Sequence, residues 1–223
     1  MYKLCLGLVF LINIVPASAQ SSNYVLQEPY ISSGAINVAV SRDDGDLYFE
    51  EGEKNEKSGD LNDAITFFGK AAFEYNNVRN FSRYGASLLR LSHVHYLMQH
   101  YTEAEQVILN VALKTYSKSG NRSGQMASYN QLGRIYLASN KLTQSMWFYT
   151  QQGILARQTN SNLNYIDSML GIIRVKIKKR EYAMALKDIQ RVELLTKNTN
   201  APQYQVQLRQ VRAVIAEKKA GIR

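Results

Sequence analysis

Beyond residue 44, apolar and polar positions follow a helical rhythm that recurs four times. Small residues stand at Ala64, Ala104, Ser145 and Ala185, at intervals of 40, 41 and 40. Four residues after each comes a large side chain: Phe68, Ile108, Tyr149 and Ile189. Three before each stand Leu61, Tyr101, Leu142 and Tyr182; twelve before, Gly52, Ser92, Gly133 and Ile173; sixteen before, Tyr48, Leu88, Tyr129 and Met169. Steps of three and four put side chains on one face of a helix. Each unit therefore predicts a first helix of about 14 residues, a polar turn ("KSGDLND", "MQHYTE", "SNKLTQ", "KKREYA") and a second, longer helix. Polar linkers such as "NNVRNFS" and "SKSGNRS" then lead to the next unit, and Ser58-Gly59 and Ser119-Gly120 read as helix stops. A helix pair of this kind buries its apolar face only on its neighbours, so four in register predict an all-α array with one continuous core.

The third unit carries the most informative stretch, "YNQLGRIY" from Tyr129 to Tyr136, followed by Ser145 and Tyr149. It resembles the tetratricopeptide repeat, with its W-x2-L-G-x2-Y first helix and A-x3-F second helix. The resemblance covers residues 45–199. Gly52, Ala64 and Phe68 match in the first unit, and Ile173 in the fourth stands where a small residue is usual. The commonest form repeats every 34 residues. The period here looks like the longer-helix version of kinesin light chains and several bacterial sensor proteins. HEAT and armadillo repeats share that period, but the paired motifs favour the tetratricopeptide reading. The resemblance implies a right-handed helical-hairpin solenoid of about four helix pairs, with units 45–80, 81–121, 122–162 and 163–200. Residues 201–223 would follow as a capping helix: Tyr204, Leu208, Val211 and Ile215 form one apolar side, and Gln207, Arg209, Gln210, Arg212 and Glu217 a basic outer face.

In such a fold Gly133 is small so that the second helix of its unit approaches the first. Leu132, Tyr136 and Tyr149 fill the space beside that contact, and Tyr129 packs toward the preceding unit. Gly52, Ala64, Phe68, Ala104, Ile108, Ser145, Ala185 and Ile189 take equivalent packing positions. The motif thus builds a surface rather than a reactive site.

The first residues read differently. "MYKLCLGLVFLINIVPASAQ" joins Lys3 to an apolar run from Leu4 to Val15, then Pro16 and the small residues Ala17-Ser18-Ala19. The run is too short to span a bilayer and has no polar face, which disfavours a buried helix. It predicts a signal peptide over residues 1–19, cleaved after Ala19, a linker over 20–43, and a secreted or periplasmic mature chain. Cys5 is the only cysteine and lies in this leader, so the mature chain would have no disulfide, thiolate metal site or thiol nucleophile.

Charge is unevenly spread along the 223 residues. Residues 1–110 hold 8 Lys/Arg and 13 Asp/Glu, whereas residues 111–223 hold 19 and 5. Such asymmetry raises the question of an acidic partner. "RVKIKKREY" has the composition of a nucleic-acid patch, but the leader argues against that partner, and Arg174, Lys178 and Arg180 suit the negative end of a helix dipole. Glu50, Glu51, Glu53 and Glu56 are expected near the positive end of the first helix. His93 and His95 are two apart, so on a helix they point away from each other and do not share a metal. No phosphate loop, Ser-His-Asp set or cysteine nucleophile appears. No enzyme activity, metal or cofactor is expected.

The resemblance places the first helices along a concave face, with the residue after the glycine column pointing into it. That column reads Glu53, His93, Arg134 and Arg174, with Tyr96 and Asn130 beside it. The expected function is an exported scaffold that binds a protein or peptide segment in this groove, with Arg134 and Arg174 pairing acidic groups. An input module of a bacterial signalling system is the alternative, and an enzyme the remote one.

Overall fold

The computed structural model describes residues 42–197 and 202–220, and every regular element among them is helical. The helices are α1 (Arg42–Ser58), α2 (Leu61–Asn77), α3 (Phe81–Leu97), α4 (Tyr101–Gln106, continued by Val107–Ala112 and Leu113–Lys118), α5 (Arg122–Ala138), α6 (Leu142–Gln158), α7 (Asn162–Lys178), α8 (Tyr182–Thr196) and α9 (Pro202–Ala220). They pack as the pairs α1/α2, α3/α4, α5/α6 and α7/α8, each pair stacked on the next, with α9 closing the series. This is an all-α helical-hairpin solenoid. The leader and most of the linker expected over 20–43 lie outside the described residues.

The expected contrast between a short first helix and a long second one is not found. Six of the helices are 17 residues long, and the connections within and between pairs are alike. Each is a turn of two or three residues closed in one way. Gly59, Arg79, Gln99, Gly120, Asn140, Asn160 and Arg180 all adopt positive φ. The next amide N–H then bonds back five residues, as in Asp60 to Asn55 at 2.9 Å, Lys141 to Tyr136 at 2.8 Å and Ser161 to Ala156 at 2.8 Å. This is the Schellman closure, which satisfies carbonyls at the helix end. Glycine marked two of the turns in the sequence. The other five use Arg, Gln or Asn, so the stop is set by the chain geometry as much as by residue type.

These left-handed residues recur every 20 positions except between Gln99 and Gly120. The additional residue lies in α4, where Val107–Ala112 forms a π-helical turn and the Leu113 N–H bonds to the Ile108 carbonyl. A π-turn absorbs one inserted residue without breaking the helix. The single interval of 41 in the sequence is this insertion.

The core runs along the array as a series of clusters. Ala64, Phe68 and Val94 join α2 to α3. Ile108, Leu132, Tyr136 and Phe148 join the second pair to the third, and Tyr129 packs on that cluster. Ile173, Ala185, Ile189, Tyr204, Leu208, Val211 and Ile215 join α7 and α8 to α9. Helix α9 begins forty residues after α7, in the register of a further first helix. Where α7 buries Ile166, Leu170, Ile173 and Ile177, the corresponding positions of α9 hold Val206, Gln210, Ala213 and Glu217. Its one apolar side meets the core, and its other side is mostly polar. The outer face is less freely basic than expected, because Arg212 forks onto Glu193 with bonds of 3.0 and 2.8 Å. Among the described residues no helix is long and apolar enough to cross a membrane.

Candidate functional site

A groove of about 790 Å³ opens between the first helices of the second to fourth pairs and α9. Its walls carry Tyr96 from α3, Asn130 and Arg134 from α5, Asn164, Asp167, Arg174 and Lys178 from α7, and Gln207 from α9. Tyr149 and Gln152 reach it from α6, behind the first helices.

Each group is held in place. The Arg134 guanidinium sits 4.9 Å over the Tyr96 ring and donates to Gln131 Oε1 at 3.3 Å. Arg174 donates to Gln207 Oε1 at 3.0 Å, so the capping helix positions a groove cation. Lys178 donates to the Leu137 carbonyl at 2.8 Å. An amide chain crosses the floor: Asn130 Nδ2 donates to Gln152 Oε1 at 3.1 Å, and Gln152 Nε2 to the Asn164 carbonyl at 3.3 Å. Three cations face the single carboxylate of Asp167 across these walls. Burial raises the Asp167 pKa, while the Tyr204 hydroxyl and Arg174 act in the other direction.

Four of the six groove residues read from the sequence, Tyr96, Asn130, Arg134 and Arg174, lie together here. Glu53 and His93 do not line this groove; they belong to an ion cluster at the edge of the neighbouring pair. Arg90 lies 2.8 Å from Glu56 and 3.5 Å from Glu53, and His93 Nε2 lies 3.6 Å from Glu56. The His93 ring stacks on Tyr96 at 6.0 Å. Burial, with Arg134 and Arg90 nearby, lowers the His93 pKa to about 4. Burial raises that of Glu56 despite Arg90. The expected dipole role of the glutamates is corrected by the same geometry. Helix α1 starts at Arg42, so Glu50 to Glu56 fall in its second half, and Glu56 serves Arg90 instead. Half-buried His95 lies beside His100, ring centres 6.2 Å apart. Among the described residues no group of His, Cys, Asp and Glu is arranged to hold a metal ion.

Sequence reasoning missed Gln152, Asn164, Asp167, Lys178 and Gln207, and it took Tyr149 as packing alone. Gln152 had a signal: an amide three residues after Tyr149, on the buried face, and it is 1% exposed. At Gly133 the second helix of the unit lies close against the first, and the glycine also makes room for a ring. A Cβ on Gly133 would lie 2.6 Å from the Tyr149 ring, and one on Gly171 would come closer still. The two glycines, on α5 and α7, make a slot for that ring.

No known protein-family profile matches the chain, and no curated protein matches it. Solved structures do. The apo form of RapI superposes with a TM-score of 0.66 at 10% identity, covering 74% of this chain and 60% of RapI. The chain thus spans about 60% of the length of RapI. A Podosopora anserina putative kinesin light chain with nearly identical TPR-like repeats gives a TM-score of 0.58 at 15% identity, covering 78% of this chain and 96% of that one. At such identities the likeness concerns the fold, which is that of a tetratricopeptide-like repeat array.

Proposed function

We propose that the protein is a non-catalytic interaction scaffold that binds a segment of another protein in the groove between α3, α5, α7 and α9. The observation that carries this reading is the composition of that groove. Its cations are fixed on aromatic and amide partners, and its floor carries the linked side-chain amides of Asn130 and Gln152. Cations held in place lose little freedom when they pair with a carboxylate, and amides suit an extended backbone, which offers donors and acceptors alternately. The excess of positive charge favours an acidic segment. The leader pattern supports export, and we place the mature chain in the periplasm or outside the cell.

The test is charge reversal. Arg134→Glu with Arg174→Glu is compared with the parent against a partner co-purified from the host, at two salt concentrations. The reading expects affinity to fall at least tenfold in the variant, and parent binding to weaken as salt rises. Equal affinity in a variant that keeps its helical content contradicts it.

A further inference from the structure

We infer that the groove floor holds a seat for one carboxylate, formed by the Tyr149 hydroxyl with the Arg134 and Arg174 guanidinium groups. It rests on the reading of the groove as a binding surface for a protein segment and names what that segment presents.

The first observation is how Tyr149 gets there. It belongs to the packing column Phe68, Ile108, Tyr149 and Ile189, whose members fill the space behind the first helices. Phe68 lies against Gly52 in the first pair but ends in a ring edge, and the two isoleucines are shorter still. Only the third pair carries a phenol in this column, with glycine on both flanking helices, Gly133 and Gly171. The ring passes between α5 and α7, and its residue joins the groove lining.

The second observation is the state of the hydroxyl. Tyr149 is 1% exposed, and its hydroxyl finds no hydrogen-bond partner among the described residues. Buried polar groups are almost always paired, so such a donor marks a place where an acceptor is expected. Tyr75, another tyrosine packed on a glycine, differs on this point: its hydroxyl bonds to Asp46 and lies beside Arg83. Burial pushes the Tyr149 pKa up to about 12, against the pull of Arg174 and Arg134, so the group remains a neutral donor at ordinary pH.

The third observation is charge. Arg134 and Arg174 line the same groove as Tyr149, and both act on its hydroxyl. Lys178 is taken by the Leu137 carbonyl, and Asp167 stands beside Arg174. Lys178 keeps its charge in that bond, so three cations less one carboxylate leave a positive excess in the groove, which favours a carboxylate on the ligand.

The seat is tested in the full mature chain, labelled with ¹³C at the tyrosine ring and titrated with succinate. The Tyr149 Cζ resonance is assigned by its disappearance in Tyr149→Phe. The proposal expects this signal to shift saturably, and Tyr149→Phe to bind succinate about tenfold more weakly. It also expects a melting temperature no lower than the parent's, since the variant removes an unpartnered donor and keeps the ring. A Tyr149 signal that does not move, or a variant that binds as well as the parent, overturns the seat. Two hexapeptides then separate the sources of the carboxylate: an amidated one rich in Glu, and a Gln-rich one with a free C-terminus. A peptide that binds without moving Tyr149 overturns the seat and leaves the segment-binding reading standing. Succinate binding with neither peptide bound supports the seat and counts against that reading.

Discussion

The hydroxyl of Ser145 donates to the carbonyl oxygen of Gly133 at 2.7 Å, tying α6 to α5 where the two helices cross. The preceding pair makes the same tie in the opposite direction, with Ser92 donating to the Ala104 carbonyl at 2.8 Å. One serine per crossing suffices, on either helix, because the partner position needs only a small side chain and a backbone oxygen. Both serines are fully buried. Ser145→Ala is expected to cost about 1 kcal/mol, the usual net value of such a bond. Ala104→Asp is expected to cost on the order of 3 kcal/mol or more, because it puts an unpaired carboxylate in a tight crossing. Chemical denaturation of the parent and the two variants checks the order; midpoints equal to the parent's in both would mean that the crossings do not bear on stability.

The glycine slot gives a second prediction. Gly133→Ala should destabilise by about 1–3 kcal/mol through overpacking against Tyr149. In a Tyr149→Leu background the same change should cost markedly less, and a double-mutant cycle measures the difference. Additive effects would place the strain elsewhere.

The π-turn makes a third. Removing exposed Asn110 takes out the inserted residue and leaves Ile108 and Ala112 in the register that Phe68 and Ala71 keep in α2. The shortened protein should fold with near-parental helicity by circular dichroism. Deleting Thr150 at a comparable place in regular α6 shifts Gln152 and Ala156 off the core face and should abolish cooperative melting. A reversed outcome would show that the π-turn does not mark the insertion.

Acidity supplies a fourth. Folding lowers the proton affinity of His93: its pKa is about 4 in the fold against 6.5 ordinarily. The unfolded chain therefore takes up the proton first as pH falls. Stability from this group is full above about pH 6.5, declines as pH drops toward about 4, and changes no further below that. Because the side chain is 23% exposed, the loss should be on the order of 1–2 kcal/mol rather than the full shift. His93→Gln should flatten the decline, read from melts at a series of pH values. An unchanged pH profile would mean that the Glu56 side of the imidazole offsets Arg90 and Arg134.

Much of this was legible in the sequence because a repeat reports the same contact several times. Ala64, Ala104, Ser145 and Ala185 each mark a helix crossing, so four copies reveal the register. The exception of 41 was equally visible, but not its cause, since a π-turn leaves no residue signature in "VILNVA". The groove was legible where the column extrapolates, at Arg134 and Arg174. It failed at Glu53 and His93, because Arg90 and Glu56 come from outside that column and draw both into an ion cluster. The role of Tyr149 was hidden for a different reason. In its column Phe68, Ile108 and Ile189 are pure packing, and only the position of Gly171 shows that the third pair lets a phenol through.

The central claim is that a protein segment lies in the groove and pairs with Arg134 and Arg174. Site-specific photo-crosslinking tests it most directly, with the photoreactive residue at Ala127 on the groove wall or at Thr150, outside the groove lining, in protein exposed to host extract. The account predicts a discrete protein adduct from Ala127, none from Thr150, and loss of the Ala127 adduct with Arg134→Glu and Arg174→Glu together. Adducts from Thr150 alone, or an Ala127 adduct that survives the charge reversal, would contradict it.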